Sequence, residues 1–351
     1  MSTDDLKKRI HLLKSELKKQ KAALRTGFWD GYSSLNDPSH TKDLAPRRTL
    51  RGHYGSVYAL QWGGGNNPDT LVSVGQDNKM IVWDTNTTWK LNAISEANWA
   101  MTVAIEPETN EKTAYAGLDY NIYIHDLTDT NENDDKPKNT LINSHVAYVS
   151  CIRFAERTKL LSSSGDNTCT LWDHTEKNGR AISRYIGHEK DVMRLSVNPT
   201  NEKIFVTCSV DQTCKLWDTR IDGSSRSQFT FIGHESDVNT VEYFPDGYAF
   251  ASGSDDHTVL LFDVRACQSV NKFVGDSNPS AVNSLAFSSS GRVLFAGYDT
   301  MTPFAWDVLK PDNSMERLLP AHSFKISCLG VHKEGHALAS GAWDHVIKLW
   351  A

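Results

Sequence analysis

Residues 164–173 read SGDNTCTLWD, and the same pattern returns six more times along the 351-residue chain. The other copies are GQDNKMIVWD (75–84), GLDYNIYIHD (117–126), SVDQTCKLWD (209–218), SDDHTVLLFD (254–263), YDTMTPFAWD (298–307) and AWDHVIKLWA (342–351). The position of Trp172 is held by Trp83, His125, Trp217, Phe262, Trp306 and Trp350 in the others, so successive copies lie 42–47 residues apart. A period this steady marks a repeat architecture.

Each unit has one grammar. It opens on Gly-His or a relic of it: Gly52-His53, Ser144-His145, Gly187-His188, Gly233-His234 and Ala321-His322. Two apolar runs follow, such as DVNTVEYF and YAFASGS, and then a turn whose Asp stands six residues before the Trp position: Asp77, Asp119, Asp166, Asp211, Asp256 and Asp344. The runs are short, β-branched or aromatic, and bounded by Gly, Asp, Asn and Pro. They read as about four strands per unit. The last unit stops at Trp350-Ala351, so its outer strand must come from elsewhere, and RRTL at 47–50 is the natural donor.

The turn Asp can accept from turn N–H groups and from the His, and the His can bond onward to a hydroxyl and the Trp indole. The set expected to form these networks is His53, Asp77, Trp83, His145, Asp166, Trp172, His188, Asp211, Trp217, His234, Asp256, His322, Asp344 and Trp350. A Ser, His and Asp together also suit a hydrolase. Here the set recurs in most units, whereas an enzyme needs one site, so the structural reading is preferred. Two units depart: the second lacks Gly-His and has His125 for Trp, and the sixth has Thr300 for Asp and only Gly275-Asp276 near the Gly-His position.

The totals fit this picture. Hydrophobic residues are 39% and charged residues 23%, as in a packed globular protein. A net charge of −6 argues against general nucleic-acid binding. The six Cys show no C-x-x-C pair, and several lie in strand-like runs, so a reducing compartment is expected. No apolar run is long enough to span a bilayer. MSTDDLKKRI lacks a signal core, Ser2 stands where myristoylation needs Gly, and IKLWA offers no Cys for prenylation. Any residence at a membrane is therefore expected to be indirect. GGG at 63–65 lacks the remainder of a phosphate-binding loop, so no nucleotide, cofactor or metal is expected.

The first residues differ in kind from the repeats. TDDLKKRIHLLKSELKKQKAALR (3–25) begins with a helix-starting Thr-Asp-Asp and has no Gly or Pro. Leu6, Ile10, Leu13, Leu17 and Leu24 follow the spacing of a coiled-coil seam. One apolar stripe on a lone helix needs a partner helix. Folding back on the repeats or lying on an acidic membrane are the other readings weighed, and nucleic-acid binding is disfavoured because the run lacks stacking aromatics. The expected organisation is a helix over 1–26, a linker over 27–46 with one short helical turn, and the repeats over 47–351. An acidic loop, TDTNENDDKPKN (128–139), separates units two and three.

Residues just after each Gly-His and around each turn Asp should share one rim. Those positions hold Tyr58, Trp99, Met101, Leu118, Tyr148, Met193 and Trp343 beside Asp and Lys, a composition typical of interfaces.

The repeats match the WD repeat. With the helix and the phrases RRTLRGH (47–53), GHESDVN (233–239), FASGSDD (250–256) and SGAWD (340–344), the whole chain resembles the β subunits of heterotrimeric G proteins. The fold this implies is all-β: a seven-bladed WD-repeat β-propeller preceded by an N-terminal coiled-coil α-helix. The resemblance implies a non-catalytic subunit of receptor signalling. It implies an obligate γ subunit bound through the helix, and a GDP-bound α subunit or effectors on one propeller face. The protein would be cytoplasmic, held at the inner face of the plasma membrane through lipidated partners. By position, the implied α/effector contacts are Tyr58, Lys79, Ile81, Lys90, Trp99, Met101, Leu118, Tyr148, Asp191, Met193, Asp237, Asn239, Asp255 and Trp343. Where the family usually has Leu, Lys and Asn, this chain has Tyr54, Ser56 and Tyr120, and Trp89 replaces a polar residue.

Two other readings compete. A general WD scaffold, similar to the kinase-anchoring propellers, would not need residues 3–25. A propeller enzyme would show one blade whose polar residues converge on the channel.

Overall fold

The computed structural model describes Arg9 and residues 35–65, 67–95, 98–127, 139–141, 144–175, 179–221, 227–275, 280–310 and 315–351. The expected coiled-coil seam, the first part of the linker and most of the acidic loop lie outside the described residues.

The described chain forms seven four-stranded antiparallel sheets, one per repeat. Their innermost strands are Val57–Trp62, Ala100–Ile105, Val149–Glu156, Val192–Val197, Val238–Tyr243, Val282–Phe287 and Ile326–Val331. Six sheets are built from four strands consecutive in sequence. In the seventh, the outer strand is Pro46–Arg51, paired antiparallel with the C-terminal Val346–Trp350. The ring is closed by joining the two ends of the repeat region, as the missing strand required. Pro46 is tolerated because it opens an outer strand, where no ladder donor is needed. The join is tightened on both sides of Pro46: Arg47 Nε donates to Ala351 O at 2.9 Å, and Ala351 N–H donates to Ala45 O at 3.3 Å.

The core lies between blades. Leu50 of the N-terminal strand is buried with Val57, Leu60, Trp83, Ile347 and Leu349, from blades one and seven. Leu35 and Leu44 pack with Trp350 and Leu338 on the other side of the seventh blade. Between them a 3-10 turn spans Pro38–Asp43, begun by Asp37, whose side chain accepts from Ser39 N–H at 2.9 Å. This is the short helical turn expected in the linker.

Because each blade is sandwiched between two others, both faces of its middle strands are covered. Lys79–Asp84 is buried at every residue after Lys79. That corrects one expectation. Ile81, placed on the partner surface from the resemblance, is fully buried among Leu60, Leu71 and Trp83 and offers no area to a partner.

Candidate functional site

The turn before each third strand is tied to the start of its own innermost strand by a backbone bond. Gln76, Leu118, Gly165, Val210, Asp255, Asp299 and Trp343 donate their N–H to the carbonyls of Ser56, Trp99, Tyr148, Asp191, Asp237, Ala281 and Lys325, at 2.8–3.2 Å. This repeats in all seven blades and sets fourteen residues at equivalent places on one rim.

Beneath the rim lies the Trp-Asp network. In blade three, Trp172 Nε1–H donates to Ser162 Oγ at 2.8 Å, the hydroxyl lies 2.7 Å from His145 Nε2, and His145 Nδ1 lies 2.9 Å from Asp166. The indole only donates and the carboxylate only accepts. A neutral His with its proton on Nδ1 therefore satisfies the chain end to end. Blades one, four and seven repeat it through His53, Ser73, Asp77 and Trp83, through His188, Thr207, Asp211 and Trp217, and through His322, Ser340, Asp344 and Trp350. Blade five keeps His234, Ser252 and Asp256, with Phe262 in place of the indole. The hydroxyls are fully buried behind their imidazoles, which leaves no approach for a substrate.

These networks hold the rim turns. Asp166 also accepts from Val146 N–H and Thr168 N–H, so one carboxylate ties the Gly-His segment to the turn. Burial alone would raise the pKa of Asp166, Asp211 and Asp256, but the His, Thr and backbone donors outweigh it and hold all three well below the usual carboxylate range. His188 moves down: burial disfavours its charged form more than Asp211 favours it. The residue after each Asp, Asn78, Tyr120, Asn167, Gln212, His257 or His345, has a left-handed backbone, which the donors to the Asp help fix.

The divergent blades are built differently. In blade two, Tyr123 donates to Asp119 at 2.5 Å and stacks on Tyr115, which also stacks on His125. In blade six the Trp306 indole N–H has no hydrogen-bond partner among the described residues and is held by Phe273 and Tyr298.

On the rim, Trp99 and Leu118 are bonded neighbours, each 43% exposed. Trp343 meets Tyr58 edge-on, and Lys325 Nζ lies 4.1 Å above the Trp343 ring while pairing with Asp299 at 3.0 Å. Tyr148 donates to Asp191 at 2.7 Å and touches Met193 Sδ. Burial first, and then that carboxylate, push the Tyr148 phenol up. Asn239 donates to Asp255, which is exposed, as Asp237 partly is. Met101 is half-buried. Lys79 and Lys90 stand apart on the outer half of blade one: Lys79 lies over the exposed Tyr54 ring, and Lys90 donates to Gly52 O.

Position-by-position reading missed a second role. Asn239, Asn283, Ser150 and Ser327 donate to the first carbonyl of the next innermost strand, at Val282, Ile326, Val192 and Val57. The fifth residue after the His position thus ties blade to blade, a task its polarity alone does not reveal.

Among the described residues no group of three His, Cys, Asp or Glu is placed to hold a metal. The Cys are core residues, five of them buried, and burial pushes the Cys328 thiol up to about 11.

A family model described as G protein beta WD-40 repeat protein matches residues 2–351. A guanine nucleotide-binding protein subunit beta of Solanum tuberosum is 39% identical, and one of Arabidopsis thaliana is 38% identical. Each alignment covers 100% of this chain and 98% of the relative. One from Oryza sativa subsp. japonica is 40% identical over 88% of this chain and 84% of its own length.

Proposed function

The chain belongs to the G protein β WD-40 repeat family, and on that premise we propose that it is the subunit that sequesters a GDP-bound α subunit on the rim carrying Trp99, Leu118, Tyr148 and Trp343. The observation that carries this reading is the rim itself. Exposed indoles and Leu118 share it with Asp255, Asp299 and Lys325, on turns tied by the same backbone bond in every blade. Rigid aromatic anchors with charged neighbours suit a partner of defined shape. The contacts we assign are Tyr58, Trp99, Met101, Leu118, Tyr148, Asp191, Met193, Asp237, Asn239, Asp255 and Trp343, with Lys79 and Lys90 as an outlying pair on blade one.

Nucleotide dependence resides in α, whose switch segments change order between the GDP and GTP states. Release of α then exposes the same rim to effectors. A γ subunit pairs with the seam Leu6, Ile10, Leu13, Leu17 and Leu24, supported by the spacing of those residues. Lipidated partners hold the complex at the cytoplasmic face of the plasma membrane, and the chain contributes no catalysis of its own.

The test is affinity capture from native membranes with the full chain as bait, once with GDP and once with a non-hydrolysable GTP analogue. A GTPase α subunit retained with GDP and released by the analogue is the expected result. The same partners in both nucleotides, with no GTPase among them, would overturn the reading.

A further inference from the structure

Each innermost strand starts at the partner rim and runs to a turn on the opposite rim. At that far end lies a cavity of about 450 Å³, to which all seven blades contribute. The size falls in the range of small-molecule sites and is too small for a folded partner.

The lining is divided. Blades seven, six and one bring Leu329, Phe287 and Trp62 to one side, while blades three, four and five bring Arg153, Arg194 and Glu242 to the other. Arg153 donates from Nη1 to the carbonyls of Ile152 and Val103, which leaves its charge without a carboxylate partner among the described residues. Arg194 makes no ion pair among the described residues, and its Nε is a buried donor with no hydrogen-bond partner. Glu242 is close enough to feel both cations, although burial outweighs them and raises its pKa. Two guanidinium groups against one carboxylate leave this wall with an excess of positive charge, and buried donors of this kind are costly unless an acceptor meets them.

We propose that the channel binds a small organic anion, its carboxylate or phosphoryl group held by Arg194 and Arg153 and its apolar body laid against Leu329, Phe287 and Trp62. Guanidinium donors match the geometry of either oxyanion. Glu242 opposes the ligand's charge, which favours a singly charged head. The mouth opens on the rim away from the partner face, so ligand binding and partner binding need not exclude each other. The inference does not depend on the partner assignment.

The experiment is calorimetric titration of the full-length protein with 3-phenylpropionate and, separately, with phenyl phosphate. The neutral 3-phenylpropanol and inorganic phosphate serve as comparisons. Saturable one-to-one binding of at least one aromatic anion is expected, with the neutral alcohol weaker by about tenfold or more. Preference between the two anions identifies the head group. Arg194→Gln should weaken binding by about tenfold, Arg194→Lys less, and Glu242→Gln should tighten it by about threefold or more by removing the opposing charge. Circular dichroism checks each fold. Should Arg194→Gln not fold, the gain expected of Glu242→Gln still decides. Absence of saturable binding of both anions up to about 10 mM, or affinity indifferent to both sites, would overturn the proposal. Inorganic phosphate binding as tightly as phenyl phosphate would overturn the role given to the apolar wall.

Discussion

Replacing Trp99 with Ala tests recognition on the rim while the backbone tie of its turn stays in place. The indole is 43% exposed, and the residue's link to its turn is its carbonyl, which accepts from Leu118 N–H at 3.2 Å and survives the substitution. A tryptophan presents roughly 250 Å² of surface, so about 110 Å² is free for a partner to cover. At ~25 cal/mol/Å² this corresponds to about 2.7 kcal/mol, or roughly a hundredfold in affinity for the GDP-bound α subunit. The rest of the residue, about 140 Å² on the same scale, is packed, so stability of the free protein should also fall, by up to about 3.5 kcal/mol. Fluorescence titration of labelled α gives the first number and urea unfolding gives the second. Leu309→Ala is the matched control: Leu309 is 75% exposed but follows the strand Pro303–Asp307, whose far end faces the other rim, so affinity should hold. The reasoning fails if Trp99→Ala binds within about threefold of the parent while folded, or if Leu309→Ala weakens binding equally.

The buried network gives further expectations. Asp211→Ala strips acceptors from His188, Glu189 N–H, Thr213 N–H and the Thr213 hydroxyl, and should cost roughly 3–5 kcal/mol by urea unfolding. Thr300→Ala, where the sixth blade has no such Asp, should cost under about 1 kcal/mol; equal losses would contradict the role given to the carboxylate. Leu50→Ala, at a site only 1% exposed in the closing strand, should cost about 2–5 kcal/mol and speed amide exchange in Val346–Trp350; unchanged exchange there would argue against closure by that strand. Thermal melts should show acid weakening in two stages. His188 has a lowered folded pKa, so the unfolded chain takes up its proton first and stability falls as pH drops below about 6.5. The turn aspartates have depressed folded pKa values, so their contribution is complete above about 4 and is lost as pH falls further. His188→Gln should flatten the upper stage and also trim the lower one, since Asp211 loses its His donor. Deleting residues 1–25 should abolish γ binding measured by co-purification, and retention of γ would remove the coiled-coil assignment.

The ring was legible because its strongest constraints are local. The spacing of Asp and Trp gives the blade count, and the truncated last unit demands a strand from the start of the chain. The rim positions were legible as well, since they sit at fixed offsets from His and Asp in a register that varies little. Ile81 was misplaced because the resemblance carried it over by position without regard to burial, and stacked blades cover both faces of the strand that holds it. Loss of the His in blade two reads as a weakened network, yet Tyr123 and Tyr115 rebuild contacts around Asp119 from residues with no counterpart elsewhere. The charges of the channel were invisible for another reason. Arg153, Arg194 and Glu242 are separated by 41 and 48 residues, and only convergence of the innermost strands brings them to one cavity.

The bond that shapes the rim also explains why its side chains are free to differ. It joins an N–H to a carbonyl, so it makes no demand on either side chain, and in the five blades that keep the His-Asp network that network fixes the turn whatever projects above it. The accepting residues are accordingly Ser56, Trp99, Tyr148, Asp191, Asp237, Ala281 and Lys325, and the donors range from Gly165 to Trp343. A fold that required these identities would not tolerate such variety. The pattern they make is therefore available to recognition: apolar at blade two, acidic from blade four to blade six, and a cation stacked on an indole at blade seven. An asymmetric pattern on a symmetric scaffold also fixes the orientation of a bound partner, because rotating it by two blades would set the apolar contacts made at blade two against Asp191 of blade four and leave both unmatched.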